Sequence, residues 1–187
     1  IEILGQPGDV LVLIDPDGQG SRDHWDLTAH DLLVGAILHV LYAERQKTLH
    51  GCLALLSDPT RTIESTLTIM LKTAHDPERQ YGWVDSVGHP TRTHPAVSGA
   101  ARALLNKSDN ERSSVISSAV KFLNLYRDPV VARNTSTSDF AVRDLMHHDR
   151  RVSLYLTIPP SDIYRTRPLL RLLLQQIVSR LTETMDF

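Results

Sequence analysis

Apolar residues recur every three to four positions through most of this chain, and that period restricts it to packed helices. From Trp25 to about Arg45, the residues Trp25, Ala29, Leu32, Leu33, Ala36, Ile37, Val40 and Leu41 fall at helical spacing. A helix with an apolar stripe must bury it against other elements. Gly35, Ala36 and Ala43 are small enough to let a neighbouring helix approach closely. A shorter helix is predicted over Leu49–Leu56. Asp58 then reads as an N-cap with Pro59 at the first helical position. The helix it opens carries Ile63, Leu67, Met70, Leu71 and Ala74 on one face and stops near His75-Asp76-Pro77.

The stretch from Pro77 to Pro95 holds Gly82, Gly88 and Pro90 and is the best loop candidate. A short helix is expected over Ala96–Leu105. Ser108 and Glu111 form an S-x-x-E capping box that starts another, running to about Tyr126. Its inward residues are Val115, Ile116, Ala119, Val120, Leu123 and Tyr126, and its outer face carries Ser113, Ser114, Ser117 and Ser118. Asp128-Pro129 restarts a short helix, and Ser138 or Asp139 is expected to cap one ending at His147.

At Arg151 the pattern changes. RVSLYLTI, residues 151–158, is rich in β-branched and aromatic residues and reads as a buried strand. Pro159-Pro160 ends it, and Ser161-Asp162 leads into a long helix with leucines on nearly every side, a pattern that predicts burial on more than one side. Only the weaker Val10–Ile14 run could pair with that strand, and a stable sheet needs about three strands or a helical cover. The expected fold is therefore mainly α. A helical bundle over 23–150 follows a lead-in and turn over 1–22. A β-strand and α-helix over 151–187 belong to a truncated α/β domain.

Composition narrows the function. The net charge is −2, with 22 acids against 20 bases, and aromatics make up 5% of residues. Such a chain is poorly suited to strong non-specific duplex binding or to stacking many unpaired bases. The single cysteine, Cys52, excludes an internal disulfide and a thiolate-rich zinc site. No apolar run reaches the ~20 residues of a membrane span. The chain opens at Ile1 with neither an initiator methionine nor a signal peptide, so a soluble piece of a longer protein is expected. Sixteen arginines against four lysines fit a GC-rich coding sequence as well as bidentate anion recognition.

Metal and nucleophile motifs are weak. DPDGQGSRDHWD, Asp15 to Asp26, approaches a calcium loop, with acids at positions 1, 3, 9 and 12 and glycine at 6. It departs at Gln19, at Arg22 and at Asp26, where a bidentate glutamate usually closes the loop. A turn opening a helix explains it better, and no metal ligand set is expected. Nine histidines are scattered, with His147-His148-Asp149 the densest group and His89/His94 only a loose pair. They read as solvated or capping residues. No G-x-S-x-G elbow supports a serine nucleophile.

The tail RVSLYLTIPPSDIYRTRPLLRLLLQQIVSRLTE and the head DPDGQGSRDHWDLTAHDLLVGAILHVLYAE resemble the TraG-type coupling proteins of conjugation and type IV secretion. The middle, SDNERSSVISSAVKFLNLYRDPVVARNTSTSDF, is similar to the same family. The resemblance covers nearly all of the chain beyond Asp15. It implies a hexameric P-loop ATPase at the bacterial inner membrane that passes a relaxase and its attached DNA strand to the secretion channel. It implies further that this chain is the all-α domain inserted into the nucleotide-binding domain, facing the cytoplasm and implicated in cargo selection. The β-α unit at 151–187 would be the return to the nucleotide-binding domain, and Asp23 would cap the first helix.

The fragment itself carries neither nucleotide motif. Lys47, Lys72, Lys107 and Lys121 all lack the glycine frame of G-x-x-x-x-G-K-[ST], and no hydrophobic strand ends in paired acids. It is expected to be no enzyme and to hold no cofactor, with ATP and Mg²⁺ belonging to the full-length protein. The expected function is recognition of relaxase and relaxosome accessory proteins by a helical surface, the fragment being a monomer. The alternative is a direct single-stranded DNA-binding element. Candidate partner-binding residues are Ser113, Ser114, Ser117 and Lys121 on the polar helix face and Arg92 in the Pro77–Pro95 loop. Arg165, Arg167 and Arg171 could instead join the nucleotide domain or a subunit boundary.

Overall fold

The computed structural model describes residues 24–142, 144–147 and 149–182. They fall into two compact units that divide between Ser136 and Thr137.

In the first unit, α1 (His24–Ala43) is followed by α2 (Leu49–Leu56), α3 (Ile63–Lys72), α4 (Pro95–Leu105) and α5 (Asp109–Leu123). A 3-10 turn over Asn124–Arg127 and α6 (Pro129–Asn134) complete it. Helix α1 is the central element, packed against α4, α5 and α2. Its stripe Ala29, Leu32, Leu33, Ala36, Ile37 and Val40 is buried, as the helical period predicts. Leu67 and Met70 of α3, Val97, Ala101 and Leu104 of α4, and Val115, Ala119 and Leu123 of α5 close the core around it.

Caps set the helix ends. Thr48 starts α2 by accepting the Gly51 amide at 2.9 Å, and Ser108 starts α5 by accepting the Glu111 amide. The Glu111 carboxylate pairs with Lys107. Asp128 caps α6 through the Val130 amide at 2.8 Å, with Pro129 inside the helix as expected. The start of α3 differs from expectation. Asp58 folds into a local turn, accepting both the Thr60 amide and the Thr60 hydroxyl, and Thr62 is the N-cap. Once its carboxylate closes that turn, Asp58 cannot serve a helix that begins five residues on, at Ile63.

The second unit holds α7 (Asp144–His147), a 3-10 turn over Pro160–Asp162 and α8 (Ile163–Thr182). Neither Ser138 nor Asp139 caps α7. The Ser138 hydroxyl donates to the Phe140 carbonyl, while Asp144 itself accepts the Ala141 amide. Helix α8 begins where expected and includes Pro168. Leu172 and Gln176 are buried, yet Leu174 and Val178 are 50% and 57% exposed, so burial on several sides is not realised among the described residues.

The strand expected at Arg151–Ile158 is not formed. Among the described residues the one β pairing is the isolated antiparallel bridge Val84–Pro90, in the first unit. Residues 151–157 are exposed, with Val152 and Leu154 lining an open cleft beside Phe140, Asp144 and Leu145. The physical reason is pairing. A strand exists only when a neighbour satisfies its backbone amides and carbonyls, and β-rich composition cannot supply that neighbour. The candidate partner Val10–Ile14 lies outside the described residues, as do the Asp23 cap and nearly all of the Asp15–Asp26 loop.

Candidate partner-binding surface

The loop between α3 and α4 is built, not slack. Its base is laced twice: the Asp76 amide donates to the Arg92 carbonyl at 2.9 Å, and the Thr93 hydroxyl donates to the Thr73 carbonyl at 2.9 Å. The buried Asp76 carboxylate accepts the Gln80 amide at 2.9 Å and the Tyr81 amide at 2.8 Å. Between them Arg79 adopts φ +58°, a left-handed conformation costly for a non-glycine residue and held here by the Asp76 hydrogen bonds. Further out, the Thr91 amide donates to the Trp83 carbonyl and the Asp85 amide to that of His89. The Asp85 carboxylate caps the tip by accepting the Val87 and His89 amides. Those amides hold its carboxyl below the ordinary carboxylate range, the His89 amide contributing most.

Rings fasten this loop to the helices. Tyr42 of α1 meets Tyr81 and Trp83 edge-on at 5.7 and 5.3 Å. Tyr81 stacks on Trp83 with centroids 5.1 Å apart, and His94 abuts Trp83 at 4.5 Å. Burial, with Tyr81 and Asp76 beside it, raises the Tyr42 phenol above its ordinary value. The outward side stays apolar and open, with Tyr81 60% and Val87 74% exposed.

Beneath the rings lies a histidine trio. His39 Nδ1 is 2.9 Å from His75 Nε2, and both residues are buried. The His94 amide donates to His75 Nδ1 at 3.2 Å, while His94 Nδ1 accepts the Ala96 amide and so caps α4. Desolvation depresses all three, His75 to about 4 with His39 and His94 adding to the effect. Of the three, His94 is the capping residue expected of scattered histidines, but His39 and His75 are core residues. Sequence reasoning missed them because the partners are 36 positions apart. The available signal was that His39 falls on the buried stripe of α1, three residues after Ala36.

The residues expected on the polar helix face lie together on α5. Ser113, Ser114, Ser117 and Lys121 are all exposed, and the Ser114 hydroxyl donates to the Asn110 carbonyl within the helix. Arg92 is exposed in the loop, and its backbone rather than its guanidinium ties the loop base. Arg92 lies in the loop and the serine face on α5, and no hydrogen bond or ring contact among the described residues joins them. Arg112, not anticipated as important, is buried on the inner side of α5. It donates to the Leu105 and Lys107 carbonyls at 3.3 and 3.2 Å and pairs with Glu64 of α3 and with Asp109.

Comparison with known proteins agrees with the resemblance read from the sequence. Residues 10–187 match the family model described as Type IV secretory system Conjugative DNA transfer. A protein named Conjugal transfer protein TraG from Escherichia coli is 43% identical over 180 residues, covering 94% of this chain and 26% of that protein. Protein VirD4 from Agrobacterium fabrum is 46% identical over 63 residues, which are 34% of this chain and 9% of that protein. No solved structure matches. The chain spans about a quarter of the length of the TraG relatives it matches. It belongs to the conjugative DNA transfer family of type IV secretion, among the TraG/VirD4 coupling proteins.

Proposed function

We propose that this chain is the cargo-recognition segment of a conjugative coupling protein, binding relaxase and relaxosome accessory proteins for delivery to the secretion channel. The observation that carries the reading is the Pro77–Pro95 loop. It is laced at its base, fastened by rings, and still leaves Tyr81 and Val87 open to a partner. A preorganised apolar surface loses little entropy on binding, which suits recognition by a fixed surface. The exposed Ser113, Ser114, Ser117 and Lys121 face supplies a second, polar contact region.

In this reading the segment has no catalytic role and holds no cofactor; ATP and Mg²⁺ act in the nucleotide-binding domain of the full-length hexamer at the bacterial inner membrane. The chain would face the cytoplasm. Among the described residues no helix is long and apolar enough to cross a membrane. The exposed 151–157 segment and the open apolar side of α8 would return to the nucleotide-binding domain, whose strands would pair with Arg151–Ile158.

One observation favours a second reading. Tyr81, open to solvent and stacked on Trp83, is a platform on which an unpaired base could stack. Calorimetric titration with the relaxase of the same transfer system, repeated with single-stranded DNA, separates the two. Saturable relaxase binding without DNA binding supports recognition of protein cargo. DNA binding alone, weakening steeply with salt, supports strand handling.

A further inference from the structure

Each ring nitrogen of His75 is already engaged, and the engagements fix its protonation state. Nδ1 accepts the His94 backbone amide at 3.2 Å, so it carries no proton. In a neutral ring the proton therefore sits on Nε2, which faces His39 Nδ1 at 2.9 Å and donates to it. His39 then carries its own proton on Nε2, directed towards the Glu44 carboxylate 3.8 Å away, an attraction and not a hydrogen bond. The trio thus forms one directed chain, from the His94 amide through His75 to His39, and it works only while the His75 and His39 rings are neutral.

We propose that His75 is a positioning residue that latches the Pro77–Pro95 loop to the helical core in its neutral form, and that proton uptake at its Nδ1 releases the loop. The proton comes from solvent and occupies the lone pair that now receives the His94 amide, leaving two N–H groups facing each other. Asp76, the next residue, organises the turn through Gln80 and Tyr81, and His94 caps α4, so a break at this point strikes both ends of the loop. The other charged and titratable groups facing the trio are Glu44, which favours a charged His39, and Arg61, which opposes it. Tyr42 abuts the His94 ring. Burial disfavours the charged form of His75 in the closed state, lowering it from 6.5 to about 4. The sign follows: between those values the released state binds the proton and the latched state does not. Through His75 alone, latching is complete above about pH 6.5 and weakens about tenfold per unit of pH below it, towards pH 4.

Cargo binding would follow the same profile, a consequence that rests on the function proposed above, but the latch can be tested without any partner. Trp83 lies in the ring cluster, and Trp25 is the second tryptophan, so a Trp25→Phe background makes Trp83 the only indole reporter. Its fluorescence is followed from pH 8 to 4.5 beside the helical ellipticity. The expected result is a Trp83 transition below pH 6.5 that precedes any loss of helix. His75→Asn keeps an acceptor near the Nδ1 position and cannot take up the proton, so it should retain the latched signal across the range. His75→Leu should show the released signal at pH 8. A Trp83 signal that stays flat to pH 4.5, or that moves only with the ellipticity, overturns the proposal. So does a His75→Asn variant that titrates like the parent. If neither variant folds, the parent profile alone decides. Failure of relaxase binding with the transition intact would count against the recognition reading and leave the latch standing.

Discussion

Gly35 of α1 faces Ala100 of α4 so closely that a Cβ on the glycine would lie 2.7 Å from the alanine Cβ. The obstructing atom is fixed to a helix backbone and cannot swing aside. Gly35→Ala gains the ordinary helix preference of alanine, about 1 kcal/mol, but must force α1 and α4 apart. The net expectation is destabilisation by about 1–3 kcal/mol, read as a lower urea midpoint at unchanged slope.

Arg112 ties α5 to the linker before it and to α3. Arg112→Ala leaves the Leu105 and Lys107 carbonyls without this donor and opens a space beneath α5. A loss of about 2–4 kcal/mol is expected in chemical unfolding. Glu64→Gln, which touches the same arginine from a solvent-exposed position, should cost far less. Equal losses in the two variants would contradict a clamp centred on the buried guanidinium.

Cys52 is buried in α2, and burial pushes its thiol up to about 12. At pH 8 the folded chain should resist alkylation by iodoacetamide for hours. The same thiol should react within minutes in denaturant, as followed by mass spectrometry. Rapid labelling of the native state would show that α2 opens locally.

Val87→Asp places a charge at a loop tip whose side chain is 74% exposed. Stability should change by less than about 0.5 kcal/mol. Relaxase affinity, measured by calorimetry, should fall tenfold or more if the loop is the contact surface. Replacing Ser113, Ser117 and Lys121 together with alanine tests the α5 face in the same assay. Retained affinity there would leave the loop as the sole candidate.

The helices were largely legible because their signals are local. Helix α2 spans the expected Leu49–Leu56, and Asp128 with Pro129 opens α6 as the residues indicate. The start of α3 was not, since Asp58-Pro59 and Thr62 are both acceptable helix openings. The choice between them depends on whether the Asp58 carboxylate serves Thr60 or a helix amide. Of the surface residues named in advance, Ser113, Ser114, Ser117 and Lys121 lie where periodicity puts them, exposed on one side of α5. The ring cluster and the histidine trio were hidden, because Tyr42, Trp83 and His94, or His39 and His75, meet only when three helices assemble.

Taken alone, the sequence determined the helical period, the Ser108 and Asp128 caps, and the family to which the chain belongs. The period and the caps rest on residue type and near-neighbour spacing, which act over a few positions. The family rests on a resemblance that runs along nearly the whole chain. Only the tertiary structure decided that the Pro77–Pro95 loop would be laced and ring-bound instead of slack, and that two histidines would hydrogen-bond to each other in the core. It also decided that β-rich residues 151–158 would form no strand among the described residues. Each of these outcomes depends on a partner distant in sequence, and no local pattern states whether that partner arrives.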